Sequence, residues 1–252
     1  MSIYNYIKDT VEKKGAGFFV LIDPDKTYGP RLEQFVNVCE TAGVDGFLIG
    51  GSLMIGTNLT ESIDIIKKHS SLPVIIFPGS VSQVLPTADA LLYISLISGR
   101  NADQIIGKHV MAAPIIKQIG IEPISTGYML VESGAVTTAE YMSGSKPIPR
   151  NKPEIAAATA LAAEYLGMKM IYLEGGSGAN MSVPNEMIKV VSSTCTIPLI
   201  VGGGIKDSAT ANDKVKSGAN VIIVGNYFED ENNWDKVADF AQAIHIKEAL
   251  EV

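Results

Sequence analysis

The chain has 252 residues, 46% of them hydrophobic, enough to bury a large core and to suit one barrel-sized domain over residues 1–252. Its formal charge of −7 and the lack of any basic stripe exclude nucleic acid as the main partner, so an anionic ligand must rely on backbone amides, a few local cations or a metal. Cys39 and Cys195 stand far apart inside apolar runs, which suits a core role in a reducing cytosol. No membrane-length apolar run or signal-peptide pattern occurs, so the expected location is the cytoplasm.

Ser2–Lys14 carries Ile3, Ile7, Thr10 and Val11 on one side and stops at Gly15, the pattern of an amphipathic helix. Short apolar runs without alternation follow, as expected of parallel strands buried on both faces. Phe18–Ile22 ends at Asp23, Gly46–Ile49 at Gly50-Gly51-Ser52, Val74–Phe77 at Pro78-Gly79, and Leu91–Leu96 at Ser98-Gly99. Thr126–Val131 ends at Glu132-Ser133-Gly134, and Met170–Leu173 at Glu174-Gly175-Gly176-Ser177-Gly178. Two last runs end in glycine, Ile197–Val201 at Gly202-Gly203-Gly204 and Val221–Val224 at Gly225-Asn226. Helix patterns fill most gaps: Gly29–Ala42, Leu59–His69, Ala102–Ile119, Pro153–Leu166, Pro184–Ser192, Ser208–Ser217 and Asn233–Leu250.

Strands alternating with helices predict the α/β class and a (β/α)8 TIM barrel. The barrel is modified. Between Phe77 and Leu91 lie only about a dozen residues, with Pro78, Gly79 and Pro86 among them, so the third helix is missing or replaced by extended chain. The opposite anomaly is Ser133–Lys152, a long Gly/Ser/Pro-rich stretch suited to a lid.

Chemistry in this fold comes from the C-terminal ends of strands, which here carry Asp23, Asp25, Lys26, Ser52, Glu132, Tyr172 and Glu174. The two glycine-ended strands, joined by one helix, describe a phosphate site in which amides approach an anion unhindered by Cβ atoms. Asp23-Pro24-Asp25-Lys26 alone reads equally as a rim turn, and Ser52 alone as a helix cap. Together they bring a carboxylate and a hydroxyl from neighbouring strands, a sparse hard-oxygen set that suits Mg²⁺ with phosphate oxygens and water. Glu174, ending a buried strand beside three glycines, reads as a general base next to a hydroxylated phosphate ligand, against the plainer reading of a rim glutamate paired with lysine. Lys26 and Arg100 are the cations best placed to meet a diphosphate, and each reads equally as solvated. His69, His109 and His245 fall on helices without metal spacing and read as solvated, and Trp234 reads as packing.

The motifs LIDPDK, IGGS, YLEGGSG, VGGGIKD and VGN, in that order and at strands one, two, six, seven and eight, resemble geranylgeranylglyceryl phosphate synthase. That family includes bacterial relatives that use other polyprenyl diphosphates, and the resemblance runs from the first strand to the last helix. It implies Mg²⁺-dependent transfer of a geranylgeranyl or related polyprenyl group from its diphosphate to the 3-hydroxyl of sn-glycerol 1-phosphate. By position, Asp23 and Ser52 would hold the Mg²⁺. Tyr172, Leu173, Glu174, Gly175, Gly176, Ser177 and Gly178, with Gly203, Gly204, Gly225 and Asn226, would bind glycerol phosphate. Glu174 would be the base and Tyr172 would orient the glycerol. The resemblance also implies a homo-oligomer, a dimer or larger, and peripheral contact with the membrane through the lipid substrate and product. Leu21 stands where one bacterial branch carries lysine, and TGYMLVESG looks more like the other branch.

Rival readings are another phosphate-binding barrel enzyme (an isomerase or a flavin-binding barrel) and a non-catalytic phosphate- or lipid-binding relative. Strand five ends Met129-Leu130-Val131-Glu132, without the aspartate that histidine-synthesis isomerases use there. A pure anion binder would do better without carboxylates at Asp23 and Glu174.

Overall fold

Eight aliphatic runs extend in parallel and pair in chain order: β1 (Gly17–Ile22), β2 (Gly46–Ile49), β3 (Val74–Ile76), β4 (Ala90–Leu96), β5 (Glu122–Leu130), β6 (Met170–Glu174), β7 (Leu199–Gly202) and β8 (Val221–Val224). The last closes on the first, with Gly17 opposite Val221 and Val20 opposite Val224, to complete a barrel. The computed structural model describes residues 1–56 and 58–247. Successive side chains point to opposite faces of a strand. Phe18, Val20, Phe47, Ile49 and Leu173 therefore pack outward against helices, while Phe19, Leu48, Ile75, Leu92, Tyr172 and Ile200 fill the interior. Both sets are apolar, which is why the runs show no alternation.

The first helix, α1 (Ile3–Lys14), is not one of the barrel's outer ring. Ile7 belongs to the interior cluster and Ile3, Tyr4, Tyr6 and Val11 pack against it. The Ile3 and Tyr4 amides donate to the Glu122 carboxylate, at the start of β5, at 2.6 and 3.1 Å. This helix covers the N-terminal end of the barrel and leaves the C-terminal strand ends free for chemistry.

The outer helices are α2 (Gly29–Ala42), α3 (Leu59–His69), α4 (Lys108–Ile119), the short α5 (Thr138–Ser143), α6 (Pro153–Tyr165), α7 (Asn185–Thr194), α8 (Ser208–Lys216) and α9 (Val237–Ile244). Between β3 and β4 stands only a 3₁₀ turn, Val81–Gln83, so the third helix is absent as the gap length implies. Elsewhere the helix patterns need correction. The 102–119 segment opens as a π turn, Asp103–Gly107, before α4. The stretch 133–152 is not bare loop: it contains α5, and Ile148 bridges Val131 beside the barrel. The last segment starts as a 3₁₀ turn, Glu231–Lys236, and α9 ends at Ile244; residues 248–250 of the expected helix lie outside the described residues.

Two histidines are not solvated. His245 is 4% exposed, with Nε2 2.8 Å from Asp45 Oδ2. That carboxylate also accepts the Phe18 amide at 2.7 Å and meets Lys14 Nζ at 2.9 Å. His109 is buried, with Nε2 3.0 Å from Ser95 Oγ and its ring edge-on to Tyr93 at 4.5 Å. Both imidazoles turn inward to partners the local sequence does not reveal. His69 is half-buried, 3.5 Å from Glu33. Trp234 packs as expected, stacked on Phe35 at 5.0 Å. Both cysteines are free, and Cys39 is buried in the core.

Candidate active site

A cavity of about 520 Å³ lies at the C-terminal ends of the strands. Glu174, the last residue of β6, brings its carboxylate there while only 5% exposed. Its Oε1 accepts the Gly176 amide at 2.6 Å. Burial pushes its pKa up, with the Tyr172 hydroxyl and the Gly176 amide pulling the other way. The loop after β7 presses against this carboxylate. Gly203 has φ +80°, and a Cβ there would fall 2.1 Å from Glu174 Oε1 and 2.5 Å from the Gly176 nitrogen. Glycine is required on both counts.

Asn226 ties β8 to the loop after β6: its Oδ1 accepts Ser177 Oγ at 2.5 Å and the Gly178 amide at 2.9 Å. Gly204, Gly225 and Asn226 all line the cavity with Ser177 and Gly178. The rest of that segment does not face it. Leu173 packs into the layer between barrel and helices, the Gly175 amide is bonded to Gly202 O at 2.9 Å, and the Gly176 amide to Glu174.

Tyr172 forms the floor. Its ring is fully buried, stacked on Phe77 at 5.5 Å and edge-on to Tyr128 at 5.1 Å. Its hydroxyl is buried beside the Glu174 carboxylate without well-formed hydrogen-bond geometry to it, and burial together with the Glu174 charge pushes the phenol well above its ordinary range. The hydroxyl and the carboxylate are thus a coupled buried pair at the base of the cavity.

Across the mouth stands Asp23, directly after β1. Its Oδ1 accepts the Asp25 amide at 3.0 Å, and Lys26 Nζ lies 3.7 Å from Oδ2. Ser52 is exposed in the same cavity, on the loop after β2. Two residues hold that loop. The Asp25 carboxylate accepts the Ile55 and Gly56 amides at 2.7 and 3.0 Å. Buried Gln83, from the turn that replaces the third helix, donates to Gly51 O at 3.0 Å and accepts the Gly79 amide at 3.1 Å. Asp25 is thus committed to backbone, while Asp23 and Ser52 are the side-chain oxygens that the loops after β1 and β2 bring to the cavity. That sparse set fits a hard, mostly hydrated ion that arrives with phosphate oxygens. Among the described residues no three of His, Cys, Asp and Glu converge to cage an ion by themselves.

A second cavity, about 330 Å³, shares Gly51, Ser52, Phe77 and Tyr128 with the first. Its walls include Leu91, Leu92, Ile94 and Leu96 of β4, Ala112 of α4, Val81 of the 3₁₀ turn and Val84 just after it, with Gln104, Lys108 and His109 as polar members. Loss of the third helix leaves the turn and α4 as its cover. The arrangement joins a polar, glycine-lined anion cradle to a mainly apolar slot across one aromatic floor.

Of the candidate cations, Lys26 reaches the first cavity; Arg100 does not, since its guanidinium donates to Ile97 O and Gly99 O at 3.3 and 2.6 Å. Glu132 is exposed and paired with Arg150 backbone and side chain outside both cavities. Sequence reading missed Phe77, Tyr128, Gln83 and Glu229. For Tyr128 a signal existed: it is the register partner of Tyr172 and shares its inward parity.

Residues 8–244 match the model of the PcrB family. Geranylgeranylglyceryl phosphate synthase of Chitinophaga pinensis is 46% identical over 243 residues, 96% of each chain. That of Pyrococcus horikoshii is 44% identical over 243 residues, 96% of this chain and 94% of its own. Among solved structures, (S)-3-O-geranylgeranylglyceryl phosphate synthase of Thermoplasma acidophilum in complex with its substrate sn-glycerol-1-phosphate superposes with a TM-score of 0.92 at 30% identity, over 98% of this chain and 99% of that one.

Proposed function

The chain belongs to the PcrB family, and on that premise we propose that it is a prenyltransferase joining a geranylgeranyl or related polyprenyl group, from its diphosphate, to the 3-hydroxyl of sn-glycerol 1-phosphate. The product is an ether-lipid precursor and diphosphate is released. The observation that carries this reading is the adjoining of the two cavities on one aromatic floor. An anion cradle alone suits any phosphate-binding barrel. A cradle opening into a slot lined by Leu91, Leu92, Ile94 and Leu96 suits a phosphorylated alcohol meeting a long hydrocarbon. Isomerase and flavin-binding readings explain the cradle but not the slot, and a non-catalytic phosphate- or lipid-binding reading leaves the carboxylates of Asp23 and Glu174 without a task.

In this reading the phosphate of the acceptor lies against Gly203, Gly204, Gly225, Asn226, Ser177 and Gly178. Its hydroxyls then reach Tyr172 Oη and Glu174. Glu174 takes the proton of the 3-hydroxyl as that oxygen bonds to the allylic carbon and the carbon–oxygen bond to diphosphate breaks. A carboxyl held above its ordinary pKa by burial is a stronger base than an exposed one. The slot keeps water from the developing allylic charge. Asp23 and Ser52 are the residues that would hold Mg²⁺, with Lys26 beside them. When bound, the ion supplies charge neutralisation to the leaving diphosphate.

The test is one assay of purified protein with Mg²⁺, each enantiomer of glycerol phosphate and prenyl diphosphates of graded length. Ether product is expected with sn-glycerol 1-phosphate; no product with any donor overturns the proposal. In the same assay, chelation with EDTA should stop turnover without changing the thermal midpoint, and added Mg²⁺ should restore it. Asp23→Asn should raise the Mg²⁺ concentration for half-activity by roughly tenfold or more. Unchanged Mg²⁺ dependence in that variant would remove Asp23 from the metal site.

No helix among the described residues is long and apolar enough to cross a membrane. We place the reaction in the cytoplasm, at a membrane face from which an amphiphilic donor is drawn, and in a homo-oligomer of two or more chains.

A further inference from the structure

We infer that Glu229 is a positioning residue for the acceptor phosphate, acting through Asn226, and that Lys26 keeps its charge from opposing that phosphate. The inference rests on the functional reading above for the identity of the anion. Glu229 closes the 3₁₀ turn Asn226–Glu229 that follows β8. Its backbone carbonyl accepts from the Arg31 guanidinium, whose Nε pairs with Glu231 at 2.7 Å. The turn is therefore fixed from outside the cavity, and the side chain lines the cavity.

The Glu229 Oε1 accepts Asn226 Nδ2 at 3.0 Å. An amide has one donating and one accepting end. With Nδ2 engaged by a carboxylate, Asn226 must present Oδ1 to the loop after β6, where Ser177 Oγ and the Gly178 amide donate to it. Glu229 thus decides the orientation of Asn226 and, through it, the position of a loop that lines the cradle.

A carboxylate beside an anion site carries a penalty, since like charges disfavour one another. Lys26 offsets it: Nζ lies 2.9 and 3.0 Å from the two Glu229 oxygens. The same ammonium stands 3.7 Å from Asp23 on the donor side. One carboxylate therefore joins a cation of the donor half to an amide of the acceptor half. Loss of the Lys26 charge leaves Glu229 uncompensated, so it weakens acceptor binding although Lys26 belongs to the other half.

The experiment is calorimetric titration of the full chain with sn-glycerol 1-phosphate and with inorganic phosphate, alongside steady-state kinetics, on the wild type, three single variants and the double variant that closes the Lys26–Glu229 cycle. Glu229→Gln keeps an acceptor for Asn226 Nδ2 and removes the charge, so acceptor affinity should stay within about twofold. Glu229→Ala should weaken it by roughly tenfold, with donor KM and kcat at saturating acceptor within about threefold. Lys26→Met should weaken acceptor affinity by roughly fivefold in the wild type and by less than about twofold in the Glu229→Gln background. An equal effect of Lys26→Met in both backgrounds overturns the inference, as does a Glu229→Ala variant with unchanged acceptor affinity. If Glu229→Ala does not fold, the Gln and Met cycle decides alone. A wild type that transfers no prenyl group, while the cycle still shows coupling for inorganic phosphate, would sink the functional reading and keep the Glu229 link.

Discussion

Glu174→Gln should lower turnover by a factor of ~10²–10⁴ while leaving affinity for both substrates near that of the wild type. Glutamine has the same shape, and its Oε1 can still accept the Gly176 amide that the carboxylate accepts at 2.6 Å. What it lacks is the capacity to take a proton. The variant should also be more stable than the wild type at alkaline pH. Burial raises the Glu174 pKa, so the native state holds its proton more readily than the unfolded chain does. Any stability this group lends is therefore complete below the unfolded carboxylate value of ~4.3, and is lost as pH rises through the higher folded value. Above that value the wild type bears an ionised buried carboxylate and glutamine does not. Thermal midpoints of the two proteins should converge near pH ~4 and separate, with the variant higher, at pH ~8. The rising limb of kcat against pH in the wild type should sit above the ordinary carboxylate range, because the base must be ionised to act. Near-normal turnover in Glu174→Gln would falsify the base assignment.

The architecture was legible because both strand faces are apolar and because a missing helix shortens a gap that can be counted. The strand-end residues were legible because barrel chemistry is confined to one end. What the sequence concealed were contacts between distant residues. His245 reads as a solvated imidazole on the last helix, yet its partner Asp45 is 200 positions away. Gln83 reads as a polar loop residue, and only the closing of β2 against β3 shows that it fixes the Ser52 loop. Phe77 and Tyr128 read as core, which they are; their second role appears only when both line the two cavities and pack against Tyr172. In the YLEGGSG segment, motif reading treats seven residues alike, whereas strand parity turns Leu173 away from Glu174. Glu229 follows a glycine-ended strand by four positions and looks like a rim acid until the 3₁₀ turn folds it back onto Asn226.

Gly203→Ala should be the most damaging single methyl in the cradle. The backbone there has φ +80°, where an L residue is strained by roughly 1–2 kcal/mol. The added Cβ would also lie 2.1 Å from Glu174 Oε1, 2.5 Å from the Gly176 nitrogen and 2.8 Å from the Gly175 nitrogen. Two of those three atoms are backbone, so relief requires the loops after β6 and β7 to separate, and the base moves with them. A displacement of about 1 Å at a reacting group costs on the order of 10²-fold in rate. We expect acceptor KM to rise and kcat to fall together, by that order in kcat/KM, because the same shift disturbs both phosphate and base. The control is Gly167→Ala, after α6, where φ is +82° but a Cβ would meet nothing within 4 Å. The two variants share the backbone strain and differ in the clash. Both should lose thermal stability, and only Gly203→Ala should lose activity. If Gly167→Ala loses as much activity, the effect is a general loss of folded protein, and the close approach of the glycine loop to Glu174 is not what the reaction depends on.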